Sequence, residues 1–113
     1  MAYKSKFQDE FTDKLFEAVL KLNNTEECYR FFEDICTVKE IQSISQRLEV
    51  ARLLKKGRTY SDIEEATGAS TATISRVNRS LHYGADGYKL ILERMESQDK
   101  DNNKEENQAK HPK

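Results

Sequence analysis

The chain has 113 residues, of which 36% are hydrophobic and 35% are charged, and its net charge at pH 7 is −1. This balance is typical of one small globular domain and excludes fibrous and wholly disordered chains. No apolar run reaches the length of a signal peptide or a membrane span, so we expect a cytoplasmic protein with no membrane partner.

The first third of the chain carries the apolar spacing of two amphipathic helices. A stripe from Phe7 to Leu22 repeats at helical period and stops at two asparagines. A shorter helix is expected after an N-cap at Thr25, with Cys28, Phe31, Phe32 and Ile35 facing inward. Two cysteines without a nearby histidine do not make a zinc site, so they are predicted to be reduced thiols in the core.

A capping box of the form Thr-x-x-Glu, Thr37 to Glu40, predicts the start of a third helix. Its apolar residues recur every three or four positions until Gly57. Lys55 and Lys56 at its end either complement the helix dipole or help Arg58 to meet a phosphate.

The stretch 59–81 has the pattern of a helix-turn-helix. Thr59 is predicted to cap its first helix, in which Ile63 and Ala66 face inward, and Gly68 falls where the turn requires a positive φ. Ser70 is predicted to cap the second helix, whose inward face carries Ile74, Val77 and Leu81. Glu64 departs from the pattern, because such motifs often place a small residue there.

The opposite face of the second motif helix is suited to DNA. It carries short hydroxyls followed by two arginines, Thr71, Thr73, Ser75, Arg76 and Arg79, which match base edges and phosphates in a major groove. Residues 46–94 contain nine basic and six acidic side chains, a local charge of +3 that coincides with the motif. A plain helical hairpin with a solvated polar face is the alternative interpretation.

After a loop that begins at His82, Asp86 is predicted to cap a last helix that reaches Met95. From Ser97 onward almost nothing apolar remains, so we divide the chain into a helical domain, 1–96, and a disordered polar tail, 97–113. No stretch alternates at period two, and the predicted fold is all-α with six helices. Wide apolar stripes and ten aromatic rings in so small a domain favour a homodimer.

The run from Thr37 to Leu81 resembles the tryptophan repressor superfamily, most closely its YerC/YecD branch, and Ala-Thr-Ile-Ser-Arg (72–76) is the most specific part. The resemblance covers about residues 7–96. It implies an intertwined, all-helical homodimer whose helix-turn-helix pairs bind double-stranded DNA. The family's operator contacts, carried over, fall on Ser61, Thr71, Ala72, Thr73, Ser75 and His82. With Arg58, Ser70, Arg76 and Arg79, which the motif itself suggests, they are the predicted DNA-binding residues.

The resemblance also implies an effector pocket, whose matching positions are Thr37, Arg47, Arg76, Val77 and Ser80. Tryptophan-binding members have a glycine where this chain has Val77, and a branched side chain there would fill the space of the indole. We therefore expect no cofactor, and either no effector or an unidentified small molecule other than L-tryptophan.

Function follows as a hypothesis: a sequence-specific transcriptional regulator, a repressor by family, that reads a palindromic operator. The alternative is a helical interaction or dimerisation module without specific DNA binding. An enzyme is not expected, because the sequence contains no paired nucleophile and base, metal-ligand spacing or phosphate loop.

Overall fold

The computed structural model describes residues 3–109, with side chains up to residue 99. Within that range there are six helices and no strand, which confirms the predicted fold class: α1 (Glu10–Val19), α2 (Thr25–Ile35), α3 (Val38–Lys55), α4 (Tyr60–Thr67), α5 (Thr71–Tyr83) and α6 (Gly87–Ala109). None of these helices combines the length and apolarity that a membrane span requires. The chain divides into two compact units, residues 1–41 and 42–113.

The helices of the first unit begin at side-chain caps. Asp9 accepts a hydrogen bond from the Thr12 amide at 2.7 Å, so α1 begins after it, later than the predicted stripe that opens at Phe7. Asn24 accepts from the Glu27 amide at 2.9 Å and caps α2. The prediction that Thr25 is this cap is wrong by one residue, because the asparagine before it already satisfies the free amide.

The first unit has no buried side chain among residues 3–41. Cys28 is exposed, Cys36 is partly buried, and both are free thiols. Ile35 on the same helix is 51% exposed. The prediction that these residues lie in a core is therefore wrong for the single chain, since two short amphipathic helices have too little apolar surface to enclose one.

The capping box at the start of α3 is confirmed. The Thr37 amide donates to Glu40 Oε1 at 2.8 Å, and the Glu40 amide donates to Thr37 Oγ1 at 3.1 Å. These bonds lower the pKa of the Glu40 carboxyl below its ordinary value, because the amide of Thr37 favours the charged form.

The second unit holds the hydrophobic core. In it α4 packs on α5 and α5 packs on α6. The buried side chains come from all four of its helices and from the turn: Val50, Ala51, Ile63, Ala69, Ile74, Val77, Leu81 and Leu92. Ala66 is exposed, contrary to the prediction, because Ala69 in the turn takes the inward position.

The last helix is longer than predicted. Asp86 precedes it with φ 66°, its carbonyl accepts from the Leu90 amide, and its carboxylate lies 3.9 Å from Lys89 Nζ. The backbone remains helical past Ser97 to Ala109, where the sequence predicts a disordered tail. Glu, Lys and Gln are good helix formers, and extending an existing helix avoids the cost of nucleation. Residues 110–113 of that tail lie outside the described residues.

Candidate nucleic-acid interface

The approach to the helix-turn-helix is a tight helix ending. Gly57 has φ 82°, its amide donates to the Leu54 carbonyl at 3.0 Å, and the Arg58 amide donates to the Leu53 carbonyl at 3.1 Å. This pair of bonds is the Schellman motif, in which glycine takes the left-handed position. It stops α3 and leaves the Arg58 side chain exposed immediately before the first motif helix.

The first motif helix and the turn form as the sequence predicts. The Thr59 hydroxyl accepts from the Asp62 amide at 3.1 Å, and Gly68 ends α4 with φ 73°. Ser61 is exposed on the first turn of α4. The cap and the turn glycine therefore set where this helix starts and stops.

Thr67 and Gln46 fix the turn in a way that the sequence does not reveal. The Thr67 hydroxyl donates to the Ile63 carbonyl at 2.7 Å and accepts from the Ala69 amide at 3.1 Å. Gln46 Nε2, on α3, donates to the Thr67 carbonyl at 3.1 Å. The bond from Gln46 joins residues that are 21 positions apart, and the other two are local bonds of one hydroxyl at the end of α4. Apolar periodicity predicts none of them.

The second motif helix, α5, has one buried and one exposed face. The Ser70 hydroxyl accepts from the Thr73 amide at 3.1 Å, which confirms the predicted cap. Ile74, Val77 and Leu81 are buried as predicted. The predicted DNA-binding residues exposed on this helix are Thr71, Ala72, Ser75, Arg76, Arg79 and His82.

Thr73 and His82 have local partners. Thr73 is half-buried, and its hydroxyl accepts from the Ser70 hydroxyl at 3.1 Å. His82 Nδ1 lies 2.9 Å from the Asn78 carbonyl, so this nitrogen carries the proton and Nε2 remains for another partner. His82 and Tyr83 belong to α5, which extends two residues beyond the predicted end at Leu81.

The charges of the motif are unevenly distributed. Among the described residues, Arg58, Arg76 and Arg79 form no ion pair. The acidic side chains of the motif all lie on α4 and are exposed, and Glu64 accepts a hydrogen bond from the Thr71 hydroxyl on α5. The α5 face thus offers positive charge and hydroxyls, while α4 contributes a carboxylate at its edge.

An open cavity of about 370 Å³ lies against α5 within the second unit. Four of the five residues predicted for an effector pocket line it: Arg47, Arg76, Val77 and Ser80. The structure adds four more lining residues, Ser43, Gln46, Thr73 and Tyr88. Ser43 and Gln46 share a face of α3 with Arg47, and Thr73 shares a face of α5 with Arg76. The sequence does not show that these two faces and Tyr88 of α6 meet around one cavity, and for that reason the four residues were missed.

Two of the predicted pocket residues have additional structural roles. Thr37 lies in the first unit, where it forms the capping box, and its role in an effector site stays a prediction. Val77 is 2% exposed and belongs to the hydrophobic core, so only a small part of its side chain reaches the cavity. Arg47 Nη1 donates to Ser43 Oγ at 2.9 Å within the lining.

The sequence of this chain matches one protein family and a relative in it. Residues 10–96 match the family described as Trp repressor protein. The chain is 61% identical over 83 residues to the uncharacterized protein YerC of Bacillus subtilis (strain 168), an alignment that covers 74% of this chain and 80% of YerC.

Two crystal structures have the same fold. One is from Staphylococcus aureus and is described as a candidate Trp repressor; it has a TM-score of 0.78 and 59% identity, over 80% of this chain and 91% of that one. The other is a TrpR-like protein from Eubacterium eligens ATCC 27750, with a TM-score of 0.77 and 58% identity, over 80% and 93% of the two chains. The chain therefore belongs to the Trp repressor family, whose members are generally DNA-binding regulators rather than enzymes.

Proposed function

We propose that this protein is a sequence-specific transcriptional repressor that acts in the cytoplasm as a homodimer and reads a palindromic operator. One observation carries the proposal: α5 buries Ile74, Val77 and Leu81 and exposes hydroxyls together with Arg76 and Arg79. A helix held in this way presents its polar face to a partner, and arginines and hydroxyls are the groups that contact phosphates and base edges.

The first unit supports the dimer. Its large apolar side chains are exposed in the single chain, and they include Phe11 at 85% and Leu20 at 83%. Large apolar side chains exposed in this number favour an interface, and a second copy of the chain is the partner that family membership favours. Such a dimer would also place two recognition helices on one operator.

We also propose that any effector of this protein differs from L-tryptophan. The lining of the 370 Å³ cavity combines two arginines with hydroxyl and amide groups, and Val77 occupies part of its wall. A cavity of this size can hold a small molecule, and two of its lining residues, Thr73 and Arg76, also belong to the proposed DNA-binding face. A ligand bound there would therefore contact the helix that reads DNA.

The face of α5 disfavours the alternative of a protein-interaction module. A protein-interaction module that uses the helix-turn-helix only as a scaffold, without binding DNA, would be expected to expose an acidic or apolar face on this helix. Residues 71–83 contain no acidic side chain, and their exposed positions are mostly hydroxyls and arginines.

The experiment that tests the proposal is selection of bound duplexes from a random DNA pool at about 150 mM salt, where non-specific electrostatic binding is weak. We expect a two-fold symmetric motif with half-sites about one helical turn, roughly 10 base pairs, apart. Featureless binding or no binding, with and without added cell metabolites, would contradict the proposal and favour the interaction module.

A further inference from the structure

Glu64 is the residue of the motif that departs from the expected pattern, and it connects the two motif helices. It lies in the last turn of α4, and its Oε1 accepts a hydrogen bond from the hydroxyl of Thr71, the first residue of α5. Both side chains are exposed. The carboxylate is therefore held beside the N-terminal end of the recognition helix, the part of such a helix that contacts base edges.

This hydrogen bond changes what Thr71 can offer to DNA. A hydroxyl has one proton, and here that proton is donated to Glu64, so only its lone pairs remain. An ionised carboxylate also accepts only, and one oxygen of Glu64 is still available. Together the two side chains form an acceptor-only surface at the start of α5.

Bases differ in whether they can donate a hydrogen bond to an acceptor-only surface. In the major groove, cytosine N4 and adenine N6 are amine donors, whereas guanine N7 and O6 and thymine O4 are acceptors. We propose that Glu64 and Thr71 form a specificity element that selects a base with an exocyclic amine and disfavours one that presents only acceptors. The inference rests on the proposed function and assigns one position of each operator half-site.

The same carboxylate lowers affinity for DNA in general. A negative charge beside the duplex is repelled by phosphates whatever the sequence. Glu64 thus weakens non-specific binding while it favours one class of base. A glutamine of the same shape would lessen both effects, because it carries no charge and its amide group donates as well as accepts.

The test compares the wild type with Glu64→Gln by duplex selection and by affinity for operators that carry each of the four base pairs at every position. Glu65→Gln is the matched control, since it removes the same charge from the neighbouring exposed residue of α4. We expect the wild type to prefer cytosine or adenine about tenfold at one position of each half-site, which is the scale of one good base contact. In Glu64→Gln a preference for cytosine should fall below about threefold, with tighter binding to random duplex. Adenine is not diagnostic for this variant, because a glutamine amide also binds adenine, and a preference for adenine is tested by Thr71→Val.

Thr71 provides a second test that remains valid if Glu64→Gln folds poorly. Thr71→Val removes the hydroxyl that holds Glu64 and should reduce the preference, whereas Thr71→Ser keeps the hydroxyl and should retain it. If the wild type recovers a symmetric motif but Glu64→Gln and Thr71→Val recover the same motif unchanged, the specificity element is overturned and the proposed function stands. If the wild type recovers no motif, the proposed function itself fails, and this inference fails with it.

Discussion

Individual side chains of α5 differ in how free they are to contact DNA. Arg79 is exposed and has no ion pair among the described residues, so its full charge is available to phosphate. Thr73 is half-buried, hydrogen-bonded to Ser70 and part of the cavity wall. We infer that a ligand in the cavity would change how Thr73 contacts DNA, in addition to any contact that Thr73 makes with a base. His82 is bonded through Nδ1 to the Asn78 carbonyl of its own helix, so only Nε2 remains for the DNA contact that we propose for this residue.

Replacement of Arg79 by alanine should weaken binding to every duplex and reduce the salt dependence of binding. An arginine that neutralises one phosphate contributes a slope of about −0.9 in log K against log salt, so a dimer should lose roughly twice that. The measurement is affinity for operator and random DNA across a salt series. Arg30→Ala, which removes the same charge from an ion pair with Glu26 on α2, is the control, and an unchanged slope in Arg79→Ala would rule out phosphate contact.

Protonation of Glu40 should make folding stability fall in acid. Its pKa is lower in the folded chain than its ordinary value of 4.5, so the unfolded state binds more protons in that range. The stabilisation is complete above pH 4.5 and is lost as the pH falls through the lower native pKa. Urea unfolding between pH 7 and pH 3 should show the wild type and Glu40→Gln converging, while Glu33→Gln, outside any cap, should not reproduce the effect.

At the scale of elements, caps and turns decide where the helices of the motif begin and end. Thr59 and Ser70 satisfy free amides at the starts of α4 and α5, and Gly57 and Gly68 take left-handed conformations at the ends of α3 and α4. Each signal is local, because the partner lies within a few residues. The relation between α4 and α5 depends on less local contacts, namely the bond from Gln46 to the Thr67 carbonyl and burial of Ile63 against α5.

Gly68→Ala should destabilise the protein by about 1 kcal/mol, the scale of the cost of a left-handed conformation for a residue with a Cβ. Space is not the reason, because an added Cβ would meet nothing within 4 Å. Thermal unfolding should show a decrease of roughly 4–8 °C for a domain of this size. Gly87→Ala is the matched control, since a Cβ there also meets nothing but no left-handed φ is required; equal melting temperatures for both variants would show that the turn tolerates alanine.

At the scale of the whole molecule, the two units differ in whether they enclose a hydrophobic core. The described side chains of the second unit include all eight buried hydrophobic residues, whereas residues 3–41 have none. Small units bury too little surface to be stable alone, so the first unit requires a partner surface. We propose that the partner is a second copy of the chain.

Sedimentation should therefore give a mass about twice the 13.1 kDa of the chain at micromolar concentration, and the melting temperature should rise with protein concentration. Phe11→Ser and Leu20→Ser should shift the protein toward monomer and lower its stability, because each removes exposed apolar surface from the interface. Glu17→Ser, an exposed polar position on α1, should leave the mass unchanged. A monomeric wild type at all concentrations would contradict the dimer.

Residues about one turn apart were enough to predict the six helices, the capping box, the caps at Thr59 and Ser70, and the buried face of α5, because each of these features depends on local contacts. Only the tertiary structure showed that Ala69 replaces Ala66 in the core, that Glu64 holds Thr71, and that four side chains beyond the predicted set line the cavity. The last two features bring residues of different helices together, and spacing within one helix does not show which faces of different helices meet. The segment after Ser97 was predicted to be disordered because its polar composition allows little burial. Its backbone is nevertheless helical to Ala109, because its residues favour helix and extend the preceding turns of α6.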